Sequence, residues 1–232
     1  MQLFYQPGIP EGIHYLDPEE SRHCIRVLRI KLNDTIDIVD GKGSFYKAQI
    51  TGTNPRQTRF QVIDQRTENQ RNYYIHLAVA PTKRLERMEW LVEKATELGV
   101  DRISLIECEH SERTRLRPDR LQRKAVSAMK QSLKAMLPII YDVVTLPDFL
   151  SLVDPETEKF LAHLSQDAIP LSKAAKLGTA YCVLIGPEGD FSKEELQYAT
   201  AAGFQKVTLG PGRLRTETAA LTALIALHII NE

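Results

Sequence analysis

Two short loops near the C-terminus carry the residue types best suited to hold a ligand. The apolar run 183–185 leads directly into a Gly-Pro loop over 186–191, and the run 207–209 leads into a second Gly-Pro loop over 210–215. Glycine lets a ligand approach the backbone, and proline holds a loop in one shape. Such loops suit a flat adenine and a ribose, read by backbone N–H and carbonyl groups. Charged and hydrogen-bonding side chains gather in and after the second loop: Arg213, Arg215, Thr216 and Glu217.

The two loops lack the fingerprints of the common nucleotide-binding enzymes. Neither has the Gly-x-x-x-x-Gly-Lys-Ser/Thr pattern of a phosphate-binding loop, and neither has the Gly-x-Gly-x-x-Gly pattern of a dinucleotide site. Kinase, ATPase and dehydrogenase activities are therefore disfavoured. The competing interpretation is that both loops are only tight turns.

The elements around these loops alternate between strands and helices. Helical spacing of apolar residues predicts helices over 83–98, stopped by Gly99, and over 119–137, stopped by Pro138. Ser192 with Glu195 forms a capping box at the start of another helix, and a last helix runs from Thr216 to the end. This alternation predicts an α/β fold with a parallel sheet covered by helices on both faces. Strands are predicted at 73–80, 102–107, 139–144, 159–164, 180–185 and 206–209.

The first 70 residues follow a different pattern. Alternating apolar and polar residues over 35–40, 44–50 and 59–64, separated by turn residues, predict a small β domain. The entirely polar run 67–72 is the expected linker. We therefore predict two domains, 1–70 and 71–232.

Composition narrows the class of protein. The chain has 232 residues, with 30 Lys and Arg against 30 Asp and Glu, 43% hydrophobic and 26% charged residues, which is typical of a globular protein. No apolar run reaches the roughly 20 residues of a membrane-spanning helix, and the N-terminus has no signal-peptide pattern. Three distant cysteines, Cys24, Cys108 and Cys182, favour small core residues in a reducing cytoplasm over a disulfide framework or a metal site.

The zero net charge hides two basic segments. Residues 112–134 hold eight bases and two acids, and residues 22–31 hold four bases and no acid. These segments could bind a polyanion. The competing interpretation is a solvated helix face.

Several motifs together resemble one known family. The runs Leu-Ile-Gly-Pro-Glu-Gly over 184–189 and Leu-Gly-Pro over 209–211, with Leu-Arg-Thr-Glu-Thr-Ala-Ala over 214–220, are similar to the two C-terminal motifs of the RsmE family. Its members are 16S ribosomal RNA uracil-N3 methyltransferases of the SPOUT superfamily. The segments 23–29 and 83–99 also resemble that family, so the likeness covers nearly the whole chain. Two positions depart from its pattern: Asp190 stands where a second glycine is usual, and Gly212 where a basic residue is common.

This resemblance implies a fold and a reaction. The fold would be a PUA-like β-barrel followed by a SPOUT-type α/β domain whose C-terminal segment forms a trefoil knot. The protein would be a cytoplasmic homodimer that uses S-adenosylmethionine to methylate N3 of a uridine in 16S rRNA, within the assembled small ribosomal subunit. No metal and no membrane are implied. The alternatives are another SPOUT enzyme acting on tRNA or on a ribose 2′-oxygen, and a catalytically silent RNA-binding protein.

The resemblance also implies roles for individual residues. Uracil N3 is the better nucleophile as its anion, and a nearby cation would stabilise that charge. Arg215 is the first candidate, because its guanidinium stays charged, and Arg113 is the second; an ion pair of Arg215 with Glu217 or Glu188 is the structural alternative. Glu217 is the candidate base, or else orients the arginine or the cofactor. His163 is a cofactor contact or a packing residue.

The expected cofactor-binding set is His163, Leu164, Ile185, Gly186, Pro187, Glu188, Gly189, Leu209, Gly210, Leu214, Arg215, Thr216, Thr218 and Ala219. The expected RNA-binding set is Arg22, Arg26, Arg29, Arg113, Arg120, Arg123 and Lys124.

Overall fold

The chain divides into two compact units. The computed structural model describes residues 2–69, 71–113 and 115–232. One unit comprises Met1–Gln70 with Val126–Leu137, and the other comprises Arg71–Ala125 with Pro138–Glu232. The sequence predicts that everything after residue 70 lies in one domain, and the structure differs in Val126–Leu137. This segment groups with the first unit because its apolar side chains Met129 and Ala135 are buried in a cluster with residues of that unit.

The first unit is built on a four-stranded sheet in the order β1-β2-β3-β4. β1 runs parallel to β2, and the other pairs are antiparallel. Alternate residues such as Ile36 and Ile38 point into the core, as the alternating pattern predicts. The three predicted strands are confirmed, whereas β1 and a short helical stretch were not predicted. The strands are β1 (Leu3–Tyr5), β2 (Thr35–Val39), β3 (Ser44–Asn54) and β4 (Gln57–Thr67), and the helical stretch is α1 (Pro18–Arg22) followed by a π-helix (His23–Val27).

The second unit is built on a seven-stranded sheet whose neighbouring strands all run parallel. The strand order is β7-β6-β5-β10-β8-β11-β9. The predicted parallel sheet is confirmed, and two of its strands have the predicted bounds. The two-residue strand β9 was too short to be recognised. The strands are β5 (Tyr74–Val79), β6 (Arg102–Glu107), β7 (Ile139–Thr145), β8 (Glu158–Ala162), β9 (Ile169–Pro170), β10 (Ala180–Ile185) and β11 (Gln205–Thr208).

Helices pack against both faces of this sheet. Residues of one face, such as Ala78, lie in a core cluster with Phe149 and Ala199 from two helices. Ile75 and Leu77 point to the opposite face, because side chains alternate along a strand. The helices are α2 (Leu85–Leu98), α3 (Pro118–Gln131, of which the residues from Val126 on group with the first unit), α4 (Leu146–Leu152), α5 (Leu171–Ala174), α6 (Lys193–Ala201) and α7 (Thr216–Ile230).

The helix ends test the capping predictions. Gly99 ends α2 in the left-handed conformation, with a φ of 91°, and Ser192 with Glu195 forms the capping box of α6, both as predicted. The predicted end of α3 at residue 137 is wrong. The helix ends at Gln131, and Leu133 adopts a φ of 55°, which breaks the helix before Pro138 is reached.

Parallel pairing brings three strand ends to one edge of the sheet. Ala162 at the end of β8 pairs with Ile185 at the end of β10 and with Val207 near the end of β11. The loops that follow these strands must therefore lie side by side. Ligands of open α/β sheets bind at this carboxyl edge.

Candidate functional site

A cavity of about 560 Å³ lies where the loops after β8, β10 and β11 meet. Its size lies within the range of small-molecule sites. Most of the expected cofactor-binding residues line it. These are His163, Leu164, Ile185, Gly186, Pro187, Glu188, Leu209, Leu214, Arg215, Thr216 and Ala219.

Three expected residues do not line the cavity: Gly189, Gly210 and Thr218. At Gly189 a Cβ would lie 2.8 Å from the Cβ of His110, so the glycine is required for packing against that histidine. Gly210 has a φ of 123°, so it provides a turn that other residues rarely adopt. Six further lining residues were absent from the expected set: Ala162, Asp190, Val207, Thr208, Gly212 and Arg213.

Two hydrogen bonds join the second Gly-Pro loop and α7 to the first loop. The Thr216 hydroxyl donates to the carbonyl oxygen of Gly186 at 3.0 Å. The Arg213 guanidinium donates to the carbonyl oxygen of Glu188 at 2.8 Å. The loops therefore form one wall, so the interpretation that each is an independent tight turn does not describe them.

Asp190 introduces a carboxylate into the cavity lining. Its φ of 66° is left-handed, which explains why glycine suits this position. Its side chain accepts a hydrogen bond from the backbone N–H of Phe191 at 2.8 Å and lies 3.3 Å from Nδ1 of His163. Its carbonyl oxygen lies 3.0 Å from Nδ1 of His110. The departure from the glycine pattern was the signal in the sequence, and the structure shows an aspartate held between two histidines.

Arg215 lies at the rim of the cavity with an exposed side chain. It is the N-cap residue of α7 and gives no side-chain cap to that helix. Its guanidinium forms no ion pair and no hydrogen bond with any of the described residues, 2–69, 71–113 and 115–232. The alternative pairing with Glu217 or Glu188 is therefore not present, and both glutamates contact Arg87 instead. A charged group without a protein partner is available to a ligand.

Glu217 does not line the cavity but faces α2. Its side chain is only 8% exposed, and its Oε1 lies 3.6 Å from Nε of Arg87. The same guanidinium lies 4.0 Å from Oε1 of Glu188, which does line the cavity. The other carboxylate oxygen of each glutamate is buried without a hydrogen-bond partner among the described atoms. Arg87 thus connects α7 to the first Gly-Pro loop.

Sequence reasoning missed Arg87. The sequence does contain one indication, since Arg87 lies in the first turn of α2, where a positive charge interacts unfavourably with the helix dipole. An acidic partner would compensate for this unfavourable interaction. The partners are distant in the chain, and nothing in local spacing identifies them.

Arg113 has a positioning contact rather than a place in the cavity. Its Nε and one terminal nitrogen donate to the carbonyl oxygen of Lys83, at 3.1 and 2.8 Å. This fork holds the backbone just before α2, two residues from the start of that helix.

The expected RNA-binding residues separate into two groups. Arg120 and Lys124 on α3 form ion pairs with Glu89 and Glu93 on α2. These two bases therefore join the helices. The others, apart from Arg113, have no ion pair within the described ranges: Arg22, Arg26, Arg29 and Arg123.

Among the described residues, neither the cysteines nor groups of metal-ligating side chains form a second reactive centre. Burial raises the pKa of the Cys182 thiol to about 12 and that of Cys24 to about 11, so both stay protonated at neutral pH. All three cysteines are buried and unpaired. Across the described ranges, no group of three His, Cys, Asp or Glu residues could hold a metal ion. No helix in that part of the chain has the length and apolar character needed to cross a membrane.

Comparison with protein-family models gives two matches. Residues 69–228 match the model described as an RNA methyltransferase domain. Residues 16–63 match the model described as an RNA methyltransferase PUA domain.

Related proteins are similar over the full length of the chain. The ribosomal RNA small subunit methyltransferase E of Aquifex aeolicus is 29% identical over 98% of this chain and 99% of its own. A probable rRNA-methyltransferase from Porphyromonas gingivalis has a crystal structure with a TM-score of 0.93 and 40% identity, covering 100% of this chain and 98% of that one. The Neisseria gonorrhoeae ribosomal RNA small subunit methyltransferase E, bound to S-adenosyl methionine, has a TM-score of 0.88 and 29% identity, with 100% and 98% covered.

Proposed function

The chain belongs to the ribosomal RNA small subunit methyltransferase E family, and from that premise we propose that it transfers a methyl group from S-adenosylmethionine to N3 of a uridine in 16S rRNA. The observation that carries the proposal is the cavity formed by the two Gly-Pro loops, with the unpaired Arg215 at its rim. Arg215 would then supply a cation at the cavity in which the loops would hold the methyl donor.

The residues present fit the methyl donor. Apolar side chains such as Ile185 and Leu209 suit a flat adenine, and at Gly212 the absence of a Cβ leaves open space. The buried carboxylate oxygen Oε2 of Glu188 has no partner among the described residues and can accept a hydrogen bond from a ligand. S-adenosylmethionine supplies an activated methyl group when bound. The protein's task is then to orient the two reactants and exclude water.

Arg215 is the proposed catalytic residue for the acceptor. The N3 proton of uracil is weakly acidic, and its loss leaves negative charge on the two flanking carbonyl oxygens. An exposed guanidinium without a protein partner can donate hydrogen bonds to such an oxygen. We assign Arg113 and Glu217 to positioning, because Arg113 holds the Lys83 carbonyl and Glu217 is buried against Arg87.

The unpaired bases support RNA binding. Guanidinium groups without an acidic partner can neutralise phosphates, which gives affinity without sequence specificity. Within the described part of the chain, four arginines have no acidic partner: Arg22, Arg26, Arg29 and Arg123. We propose them as phosphate contacts, and we expect weaker contributions from Arg120 and Lys124, which already pair with glutamates.

The proposal extends to the setting of the reaction. We propose a cytoplasmic homodimer acting on 16S rRNA within the small ribosomal subunit. We also propose that the C-terminal segment forms a trefoil knot. The proposal follows from the family resemblance, and the strand order adds that the chain runs from the edge strand β9 to the central strand β10 and then to β11, which lies between β8 and β9.

The test compares wild type with Arg215→Ala on small ribosomal subunits from a strain that lacks the enzyme. We expect Arg215→Ala to lower kcat about 10²- to 10³-fold, as for loss of one charge-stabilising donor, with donor affinity by calorimetry changed little. Arg123→Ala is the control, since loss of a phosphate contact should raise KM for the subunit and spare kcat. Unchanged turnover of Arg215→Ala would contradict its role.

Mass mapping of the product identifies the modified atom: a methylated ribose or tRNA would favour the other SPOUT activities. Absence of heat with the donor would favour a silent RNA-binding protein.

A further inference from the structure

A second cavity, of about 520 Å³, lies within the first unit. Its walls come from three segments of that unit: the start of β1, the helical stretch from α1 through the π-helix, and the residues 127–131. Its volume is close to that of the cavity formed by the two Gly-Pro loops, which is called the donor cavity from here on. A single phosphate would fill only a small part of this volume. The function proposed above assigns phosphate contacts to this region but gives the cavity no occupant.

Three bases, Arg22, Arg26 and Lys130, line the cavity against two acids, the exposed Glu19 and the buried Glu20, so the bases are in excess by one. Lys130 is paired with Glu20 and is mostly buried. Arg22 and Arg26, which also line the cavity, are exposed and have no ion pair in the described ranges. Like charges one turn apart on a helical stretch repel each other. An anion between the two guanidinium groups would relieve this repulsion.

The backbone that carries these arginines is irregular. His23–Val27 is a π-helix, which has a wider turn than an α-helix. Such turns are rare in proteins, and many of those that occur lie at functional sites. Shortly after it, Arg29 adopts a left-handed φ of 55°. Such strain persists where the surroundings hold it and clusters at binding sites. Arg26 and Val27 belong to this π-helix, and both line the cavity.

The remaining lining suits a base. Val27 is 64% exposed, although it is an apolar residue in a helical stretch, and Leu3 forms a buried apolar part of the wall. Guanidinium planes and apolar side chains are surfaces on which unpaired bases stack. Gln2 and Gln131 add amide groups that can donate to or accept from a base edge.

We propose that this cavity holds one unpaired nucleotide of the RNA substrate, with its phosphate between Arg22 and Arg26 and its base against Val27. The inference rests on the proposed function, since it names how the RNA engages the first unit. A duplex could not occupy the cavity in this way, because its bases are stacked and paired.

The first test uses the full-length protein, with amide signals observed by NMR. Single-stranded rU4 or rA4 should shift the signals of residues 22–28 and 127–131. An abasic tetramer of the same charge should bind at least 5-fold more weakly, and inorganic phosphate should not reproduce the shifts at equal concentration. Equal binding of the abasic tetramer, or the same shifts with phosphate alone, would reduce the cavity to an anion site and overturn the proposal. Absence of shifts with both RNA tetramers would also overturn it.

The second test uses charge-matched variants. Arg22→Ala/Arg26→Ala should weaken tetramer binding at least 10-fold. Lys31→Ala/Arg56→Ala removes the same charge from the first unit outside the cavity, and should weaken binding less than 3-fold. Equal losses would mean general electrostatic attraction and would contradict the nucleotide site.

Donor calorimetry on the cavity variant separates this inference from the proposed function. Arg22→Ala/Arg26→Ala should leave donor affinity unchanged, raise KM for the ribosomal subunit and spare kcat. A wild-type protein that binds no donor but shows the tetramer shifts would overturn the methyltransferase proposal alone. A wild-type enzyme that transfers methyl groups without the shifts would overturn the nucleotide cavity alone.

Discussion

The contact of Arg87 with Glu217 offers a quantitative test of how the donor cavity is held. Glu217 is 8% exposed and Arg87 is 30% exposed, so the carboxylate depends on this cation for its charge compensation. Removing one partner of a fully buried pair costs about 3–5 kcal/mol. Because water reaches part of the arginine, we expect Arg87→Ala to lower the free energy of unfolding by about 2–3 kcal/mol.

A double-mutant cycle isolates the interaction. Arg87→Ala/Glu217→Gln should be more stable than the sum of the single changes predicts, with a coupling energy of about 2 kcal/mol, because the double variant leaves no buried charge. The control is the partly exposed pair of Lys94 with Glu97 on the same helix, at 35% and 34% exposure, in which Lys94 also contacts Glu93. Its coupling should stay below about 0.5 kcal/mol.

The assay is urea unfolding followed by tryptophan fluorescence. The chain has one tryptophan, Trp90, which lies on α2 three positions after Arg87, so the signal reports on the second unit. With a slope of about 2 kcal/mol per molar urea, the Arg87→Ala midpoint should fall by about 1 M. A coupling energy no larger than that of the surface pair would refute the reasoning, since it would show that Glu217 does not rely on Arg87.

Three further predictions concern packing, pH and charge. Gly189→Ala should destabilise the second unit by about 1–3 kcal/mol, because the new Cβ would clash with His110. Gly212→Ala is the control for packing, since a Cβ there has open space. It should leave the thermal midpoint unchanged while altering donor affinity. Burial lowers the pKa of His76 from 6.5 to about 4. Between these two pH values His76 is protonated in the unfolded chain but neutral in the folded protein, so lowering the pH favours the unfolded chain. Stability should therefore fall over that window by at most about 1.4 kcal/mol per pH unit, and His76→Asn should remove this dependence in urea titrations. Arg123→Ala should reduce the salt dependence of RNA binding, with a change in slope of about 0.7–0.9, and an unaltered slope would mean that this face is only solvated.

Periodicity predicted most of the elements because it reports on what each residue packs against locally. The strands Arg102–Glu107 and Ala180–Ile185 have the predicted bounds, since short runs rich in apolar residues match strands whose interior is buried on both faces. The short elements α5 and β9 span four and two residues and carry too little pattern to be recognised. The π-helix was missed for another reason, because its wide turn follows no 3.6-residue period.

Contacts between distant segments account for other features that the sequence did not reveal. The segment Val126–Leu137 has a helical pattern that gives no indication of which unit it packs against. Arg87 and Glu217 are 130 positions apart, and only the fold brings α2 beside the start of α7. Local patterns predicted the loops of the candidate site and the residues Arg213 and Thr216 that join them, but not Arg87, which connects α7 to the first loop.

The run that begins α7 shows why a motif alone does not assign roles to its residues. Thr216 and Ala219, three positions apart, lie on the helix face that lines the cavity. Glu217 lies on a different face, where it meets Arg87 on α2. The chemistry at the rim and the attachment of the helix therefore come from neighbouring residues of one short run. Substitutions there should separate accordingly: Thr216→Val, which removes the hydrogen bond to Gly186, should weaken donor binding, and Glu217→Gln should act first on stability. If Glu217→Gln instead abolished methyl transfer in a fully stable protein with normal donor affinity, the positioning role would be wrong and Glu217 would be the base.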